Sequence, residues 1–182
     1  MENKIQKLGI KVEQLAIATS NPSRLIANLE LILGIKGEWV HDTVTTKGKV
    51  GIGAEDDDKT VAKLAFNYDL GLELEVLSYQ SGPNWLALKG KGMDEQPQIS
   101  HVGMHVTQEE MHAWKYKMAR EGFSIIQQVI TQEHTNPFLV ENGRKFEYVI
   151  FDTESALGFD FKIIRRINRQ VDETPKTQIP LL

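Results

Sequence analysis

The feature of this sequence that most constrains its fold is a repeated spacing between polar residues in predicted strands. Gln14 opens one such strand and His101 opens another 87 residues later, while Glu75 and Lys162, in two later strands, are again 87 residues apart. The separation within each half, from Gln14 to Glu75 and from His101 to Lys162, is 61 residues. Because a fixed internal period indicates repeated structural units, the sequence predicts two similar halves.

The first half is typical of a strand, a helix and three further strands. The Ser-Asn-Pro sequence at 20–22 suits the start of a helix, apolar residues then recur at helical spacing, and Gly34 suits its end. Residues 72–77 begin with strict alternation, which puts Glu73 and Glu75 on one face of a strand. The predicted strands cover residues 13–19, 38–45, 60–67 and 72–78.

The second half repeats this order of elements. Thr107 and Glu110 form a capping box at the start of a helix, and Gly122 ends that helix 88 residues after Gly34. The predicted strands cover residues 101–106, 123–131, 146–152 and 158–165. The predicted fold class is therefore α+β, with two tandem βαβββ modules. They cover residues 10–79 and 98–166, with a Gly-, Pro- and Lys-containing linker at 80–97 and a polar tail at 167–182.

The composition excludes several classes of site and partner. The chain has no cysteine, so disulfides, thiolate nucleophiles and cysteine-ligated zinc are ruled out. A formal net charge of −4 offers no broad basic field for nucleic acid. The sequence has neither the roughly 20 apolar residues of a membrane span nor the apolar stretch of a signal peptide. We expect a cytoplasmic protein with a small-molecule ligand and no nucleic-acid or membrane partner, and we allow for a homodimer.

Four segments resemble the glyoxalase, bleomycin-resistance and extradiol-dioxygenase proteins, which form the vicinal-oxygen-chelate superfamily. They are QLAIATSNPSRLIANLELILG and LELEVLSY in the first half, and HVGMHVTQEE and FDTESALGFDFKII in the second. Each segment is short, and the resemblance depends on their order and spacing. It implies that the modules curl into one cup-shaped mixed sheet with helices outside and a divalent metal at the base of the cup.

The resemblance places the metal-ligand positions at Gln14, Glu75, His101 and Lys162. The first three carry an amide oxygen, a carboxylate and an imidazole, which suit zinc, nickel, manganese or iron. Lys162 departs from the family, which usually has a glutamate there that serves as ligand or base. A lysine ammonium is a hydrogen-bond donor only and cannot bind a cation.

Two interpretations of this departure remain open. In one, a metal binds Gln14, Glu75 and His101 together with water, and Lys162 turns aside. In the other, no metal binds and Lys162 pairs with Glu75, because an unpaired buried carboxylate would cost several kcal/mol. We favour the second interpretation, since the sequence already supplies a cation for Glu75. The expected cofactor is accordingly none or one divalent metal.

Five further residues are candidates for the same pocket. Glu73 and His105 are candidate catalytic bases, and Asp160 would replace the missing glutamate only if its strand shifted in register. Residues 133–145 form a long connection of the kind that covers binding sites, and its His134 and Arg144 would then contact an anionic substrate. The plain alternative is that all five side chains face solvent.

Two classes of function follow from these positions. The first is a small-molecule binding protein, similar to the antibiotic-binding members of the superfamily, in which a polar cup holds an oxygenated molecule beside a degenerate metal site. The second is a metal-dependent lyase, isomerase or dioxygenase with Gln14, Glu75 and His101 as metal ligands. A carboxylate at position 162 would favour the enzyme, and the lysine favours the binding protein.

Overall fold

The first half folds in the predicted order of elements. The structure is a computed structural model, and it describes residues 9–52, 57–91 and 96–167. All but the first residue of the predicted tail lies outside these ranges. The elements are β1 (Gln14–Ala18), α1 (Pro22–Leu33), β2 (Val40–Val50), β3 (Asp58–Asn67) and β4 (Glu73–Ser81).

The second half repeats this order, and three short helices are added to it. The elements are α2 (Trp85–Leu88), β5 (Gln98–His105), α3 (Gln108–Arg120), β6 (Ile125–Glu133), α4 (Pro137–Glu141), β7 (Lys145–Phe151), α5 (Glu154–Leu157) and β8 (Asp160–Ile167). The predicted capping box of α3 is present at Thr107 and Glu110. The predicted α+β class with two βαβββ units is confirmed. Within the described ranges, none of the helices has the length and apolar character that crossing a membrane requires.

The eight strands form one closed, mixed sheet. Their order around the ring is β1-β4-β3-β2-β6-β7-β8-β5. The first and last strands of each half pair in parallel, and all other neighbours are antiparallel. The two halves meet twice, through β1 with β5 and through β2 with β6. The wall of the predicted cup is therefore hydrogen-bonded all the way round.

The strand register reproduces the spacing of the sequence. In each half the parallel pair aligns residues that have counterparts 87 positions away in the other half. These pairs are Gln14 with Glu73 and Ala16 with Glu75 in the first half, and His101 with Asp160 and Gly103 with Lys162 in the second. The antiparallel junction obeys the same relation, because it aligns Gln14 with Gly103 and Ala16 with His101. An approximate two-fold axis therefore passes between β1 and β5.

The two long helices pack on the outer face of the ring. Leu25 and Leu29 of α1 pack against Leu74 and Val76 of β4. Met111, Trp114 and Met118 of α3 pack in the same way against outward residues of β7 and β8. Because side chains alternate along a strand, the remaining residues of β4, β7 and β8 face the interior.

The structure departs from the sequence pattern in two places. Ile32 and Leu33 continue the apolar spacing of α1 but are 75% and 58% exposed, because the buried stripe of that helix consists of Leu25 and Leu29. The linker also contains more than a connection. Its helix α2 buries Trp85 and Leu86 in a core cluster with side chains from both halves.

Candidate functional site

A cavity of about 100 Å³ lies inside the closed sheet, with room for a small molecule rather than a single water. Both halves line it, and most of its exposed lining is apolar or aromatic, including Leu64, Phe66, Tyr79, Phe146 and Tyr148. The expectation of a polar cup is therefore wrong in degree. The ion pairs and imidazole contacts of the lining form two groups, one around Lys162 and one around His134.

The structure brings together all four residues at the predicted metal-ligand positions. His101 Nε2 lies 3.0 Å from Gln14 Oε1 and 3.1 Å from Lys162 Nζ. Glu75 Oε2 lies 3.5 Å from Lys162 Nζ and 3.6 Å from His101 Nε2. All four residues are buried, and Lys162 Nζ also lies 4.8 Å from the centre of the Tyr148 ring. We call these four residues the base cluster.

The junction between the halves explains why these side chains meet. Gln14 lies opposite Gly103, and a Cβ at Gly103 would lie 3.0 Å from Gln14 Oε1. The missing side chain thus leaves room for the Gln14 amide beside His101. Glu75 and Lys162 occupy equivalent positions in β4 and β8, so the approximate two-fold axis brings them to the same place.

The base cluster carries a fixed distribution of charge. Burial alone would raise the pKa of Glu75, but Lys162 and His101 lower it to about 2. Burial lowers the pKa of His101 to about 4, and the positive charge of Lys162 acts in the same direction. His101 is therefore neutral near pH 7, and its Nδ1 lies 2.9 Å from Ser100 Oγ. At that pH Glu75 and Lys162 form a buried ion pair.

The base cluster does not fit a divalent metal while Lys162 holds this position. Gln14 Oε1, His101 Nε2 and Glu75 Oε2 converge as ligand atoms would. The Lys162 ammonium, however, already lies within hydrogen-bonding distance of His101 and within ion-pair distance of Glu75. A second cation there would be repelled. Across the described ranges, no three His, Cys, Asp or Glu side chains are grouped so that they could hold a metal ion.

Glu73 lines the cavity next to the base cluster. Its carboxylate accepts hydrogen bonds from Gln14 Nε2 and, at 3.0 Å, from the Tyr68 hydroxyl. Burial raises the pKa of Glu73 to about 7, and the negative charge of Glu75 contributes to this rise. Glu73 is thus a carboxyl group that exchanges a proton near neutral pH. Tyr68 directly follows β3 and was not predicted, because a tyrosine in a turn gives no local signal of its partner.

His105 also lines the cavity, but Glu13 holds it. The His105 ring Nδ1 lies 3.4 Å from Glu13 Oε2, and the same oxygen accepts the His105 backbone N–H at 2.8 Å. Burial lowers the pKa of His105, and Glu13 acts against that shift. The ring is therefore a less available base than Glu73.

Asp160 does not line the cavity, which corrects its assignment to the pocket. Its carboxylate accepts from Lys89 Nζ at 2.7 and 2.8 Å and from the backbone N–H groups of Thr153 and Glu154 at 3.1 and 3.2 Å. Asp160 begins β8 directly after α5, so its side chain is used at the start of that helix. The strand shows no register shift, since β8 pairs continuously with β5.

The connection at 133–145 contributes one of its two predicted residues. His134 lines the cavity, where its Nδ1 lies 2.6 Å from Asp42 Oδ2. Arg144 does not reach the cavity, because the connection folds into α4 and the guanidinium carbon lies 5.6 Å from the centre of the Phe138 ring. Asp42 was not predicted. Its only sequence signal is a carboxylate within a strand of Val and Thr residues.

Comparisons with known proteins support the fold alone. No protein-family model matches the chain, and no curated protein matches it. The structure resembles a hypothetical protein from Bacillus halodurans C-125 with a TM-score of 0.50 and 15% identity, covering 90% of this chain and 98% of that one. It resembles methylmalonyl-CoA epimerase from Mycobacterium tuberculosis with a TM-score of 0.50 and 12% identity, covering 88% and 93%. These two likenesses confirm the fold that the sequence resemblance implied.

Proposed function

We propose that this chain binds an uncharged, oxygenated small molecule without a metal, and that Lys162 takes the place of the metal ion. The observation that carries the proposal is the position of Lys162 Nζ, 3.1 Å from His101 Nε2 and 3.5 Å from Glu75 Oε2. In this arrangement the Lys162 ammonium supplies the positive charge, and the cavity that it lines can hold a ligand.

The chemistry of Lys162 supports an oxygen atom as its ligand contact. An ammonium group has three N–H donors. His101 and Glu75 can be partners of at most two of them, which leaves at least one donor for a carbonyl or ether oxygen. An apolar body attached to that oxygen would contact the aliphatic and aromatic side chains that line most of the cavity.

The charge balance of the cavity supports an uncharged ligand. Glu75 already neutralises Lys162, and Glu73 adds part of a negative charge near pH 7. A carboxylate ligand would therefore meet a neutral or negative site and would lose its own hydration. Arg144, the residue expected to attract an anion, does not line the cavity.

A pair of matched probes tests the proposal. We expect 2-heptanone to bind the wild-type protein and heptanoate to bind at least about ten-fold more weakly, which corresponds to about 1.4 kcal/mol. Lys162→Met should weaken the binding of the ketone. Lys89→Met, which changes a lysine outside the cavity, should leave that binding unchanged. Isothermal titration calorimetry measures these four affinities. Tighter binding of heptanoate, or equal ketone binding by Lys162→Met, would contradict the proposal.

A metal titration separates this proposal from the metal-dependent lyase, isomerase or dioxygenase. Zinc, nickel or manganese should leave the melting temperature of chelator-treated wild type unchanged. Lys162→Glu removes the repelling ammonium and supplies an oxygen ligand, so metal should stabilise that variant by RT ln(1 + [L]/Kd). Equal metal-induced shifts in both proteins would favour the metal enzyme with Gln14, Glu75 and His101 as ligands.

The second candidate function is proton transfer next to a carbonyl group, and Glu73 is the observation that favours it. A carboxyl with a pKa of about 7 is well matched to take a proton from carbon at neutral pH. Lys162 would donate a hydrogen bond to the carbonyl oxygen and stabilise the enolate that forms. The proton leaves the carbon for Glu73, and its return completes an exchange.

Deuterium exchange distinguishes catalysis from binding. In D₂O, an enzyme of this kind would exchange the hydrogens next to the carbonyl of 2-heptanone, and NMR would show their loss. Glu73→Gln should abolish the exchange while ketone binding persists. If wild type exchanges no faster than buffer, while the ketone binds, the protein is a binding protein for this ligand.

A further inference from the structure

The second polar group in the cavity contains residues from both halves. In the sequence, these residues are far from the four metal-ligand positions. Asp42 lies in β2 and His134 directly follows β6, and both line the cavity. Their side chains are 1% and 7% exposed, and Asp42 Oδ2 lies 2.6 Å from His134 Nδ1. We call this pair the wall dyad.

Backbone N–H groups hold one oxygen of the Asp42 carboxylate, and the His134 imidazole contacts the other. Asp42 Oδ1 accepts the N–H groups of Thr135 at 2.8 Å and Asn136 at 2.9 Å. Burial alone would raise the pKa of Asp42, but these bonds and His134 lower it. An ionised carboxylate only accepts hydrogen bonds, so His134 Nδ1 must carry the proton. In the neutral imidazole, Nε2 is then a bare acceptor.

His134 Nε2 has no hydrogen-bond partner among the described residues, although it is buried. Leaving a buried polar atom unpaired costs about 1–3 kcal/mol. A side chain that only tied the 133–145 connection to β2 would not need this second nitrogen, since asparagine can make the same donation to Asp42. The unpaired acceptor on a cavity-lining residue therefore calls for a ligand that donates a hydrogen bond.

We infer that the wall dyad is a second ligand-binding site in the cavity, at which His134 Nε2 accepts the hydrogen of an alcohol or phenol hydroxyl. This inference deepens the proposed function and rests on it for the nature of the cavity. It specifies that the natural ligand is an apolar molecule with two oxygen functions, one that accepts from Lys162 and one that donates to His134. The wall dyad itself uses no residue of the base cluster.

Two simple probes separate the two sites. The hydroxyl of 1-heptanol can donate to His134, whereas its methyl ether, 1-methoxyheptane, cannot. We expect wild type to bind the alcohol about three- to ten-fold more tightly than the ether, as one hydrogen bond predicts. We also expect this preference for the alcohol to depend on His134 and not on Lys162, because the oxygen of either probe can accept from the ammonium. Binding of 2-heptanone should depend on Lys162 and not on His134. Calorimetric titration of each variant with each probe measures this.

Two substitutions at His134 form a matched pair. His134→Asn retains a donor near the position of Nδ1 and so keeps the tie to Asp42, but it removes Nε2. It should lose the preference for the alcohol with the melting temperature maintained. His134→Gln places an amide oxygen or nitrogen near the position of Nε2 and should keep part of the preference. Retention of the full preference by His134→Asn would overturn the inference.

A change in the tautomer of His134 distinguishes ligand binding from a purely structural role, because a structural role predicts no effect of that change on the preference between probes. In Asp42→Asn, the amide oxygen can still accept from Thr135 and Asn136, while the amide NH₂ donates to His134 Nδ1. The proton then moves to Nε2, which becomes a donor, as when the carboxylate partner of a catalytic histidine is replaced by an amide. The variant should lose the preference for the alcohol, because the oxygen of either probe can accept from Nε2–H, and ¹⁵N NMR of His134 should show the altered tautomer. An unchanged tautomer or probe preference would overturn the inference.

The outcomes also separate failure of the inference from failure of the proposed function. If the ketone binds through Lys162 but the alcohol gains nothing from His134, the proposed function stands and the wall dyad is structural. If the alcohol binds through His134 but the ketone ignores Lys162, the wall dyad stands and the role of Lys162 is wrong. Alcohol binding that depends on Lys162 and not on His134 overturns the inference as well.

Discussion

The two halves of the molecule share a backbone but differ in charge at equivalent positions. Glu75 and Lys162 have the same place in the register of β4 and β8, and the approximate two-fold axis brings them to 3.5 Å from one another. Two identical carboxylates there would need a cation between them, as two like charges disfavour each other's ionisation. With a lysine in one half, the repeat contains its own counter-ion.

The next pair of equivalent residues differs in surroundings rather than in charge. Glu73 and Asp160 both carry carboxylates, are 87 positions apart in the sequence, and have the same place in the register of the two halves. Glu73 turns into the cavity, whereas Asp160 binds Lys89 and the first turn of α5. Among the described residues, no helix lies between β3 and β4 in the first half, whereas α5 lies between β7 and β8 in the second. The same strand position therefore lines the cavity in one half and binds a helix in the other.

The largest effect should come from breaking the ion pair that spans the two halves. We predict that Lys162→Met lowers the free energy of unfolding by about 3–5 kcal/mol, because it leaves Glu75 buried without a cation. The double variant Glu75→Gln with Lys162→Met should recover most of that loss. Urea denaturation near pH 7 measures both variants.

Lys115 offers a matched control for this prediction. It pairs with Glu147 at 3.5 Å, but its side chain is 25% exposed and Arg165 also binds Glu147. Lys115→Met should therefore cost less than about 1 kcal/mol. A loss for Lys162→Met no larger than that of the control would show that the ion pair contributes little to the fold.

The second prediction concerns the pH dependence of stability, to which Glu73 and His101 contribute with opposite signs. The pKa of Glu73 is raised from 4.5 to about 7, so its contribution is full below pH 4.5 and is lost as pH rises to about 7. The pKa of His101 is lowered from 6.5 to about 4, so its contribution is full above pH 6.5 and is lost as pH falls to about 4. Each amounts to about 3 kcal/mol. They cancel between pH 4.5 and 6.5.

Removing either residue should expose the slope of the other. In Glu73→Gln, the contribution of His101 should increase the stability by about 3 kcal/mol as the pH rises from 4 to 6.5. In His101→Gln, the contribution of Glu73 should decrease the stability as the pH rises from 4.5 to 7. Guanidinium denaturation at each pH measures the slopes. Parallel pH profiles for the two variants would show that the two groups do not carry these shifts.

The repeat and the family resemblance together made the main prediction about the site. The resemblance places Gln14, Glu75, His101 and Lys162 at one site, the 87-residue offset agrees with it, and the structure brings all four together. The offset works because parallel pairing within each half preserves it in the register. Nothing comparable relates Asp42 to His134, which are 92 residues apart and meet only through the pairing of β2 with β6.

The sequence also did not predict where side chains at the ends of helices and strands point. Asp160 shares its strand face with Lys162 by alternation, yet the turn of α5 draws its carboxylate away from the cavity. Trp85 looked like part of a linker because Gly and Pro surround it, but its large apolar surface gains more from burial than the chain loses by forming α2. In both cases a tertiary contact outweighed a local pattern.

A third, smaller effect should separate Asp160 from its equivalent Glu73. Asp160→Asn keeps an oxygen for the N–H groups of Thr153 and Glu154 but removes the charge that Lys89 binds. We expect a loss of about 1–2 kcal/mol in the free energy of unfolding and unchanged binding of 2-heptanone. Thermal melts and calorimetry measure the two quantities. A loss of ketone binding as large as that of Lys162→Met would place Asp160 functionally in the cavity after all.

The smallest effect on stability should come from making Gly103 identical to its equivalent in the first half, Ala16. The added Cβ would lie 3.0 Å from Gln14 Oε1 and 3.4 Å from Gln14 Cβ, so the Gln14 side chain must move by a few tenths of an ångström. Alanine also restricts the unfolded chain, which offsets part of this cost, and we expect a net change within about 1 kcal/mol. The movement should nevertheless alter the contact of Gln14 with His101 and shift the His101 ring resonances in ¹⁵N NMR. Gly71→Ala, at a position with φ of 74°, should destabilise the protein without that spectral change. Unchanged His101 resonances in Gly103→Ala would mean that the glycine is not what positions the Gln14 amide.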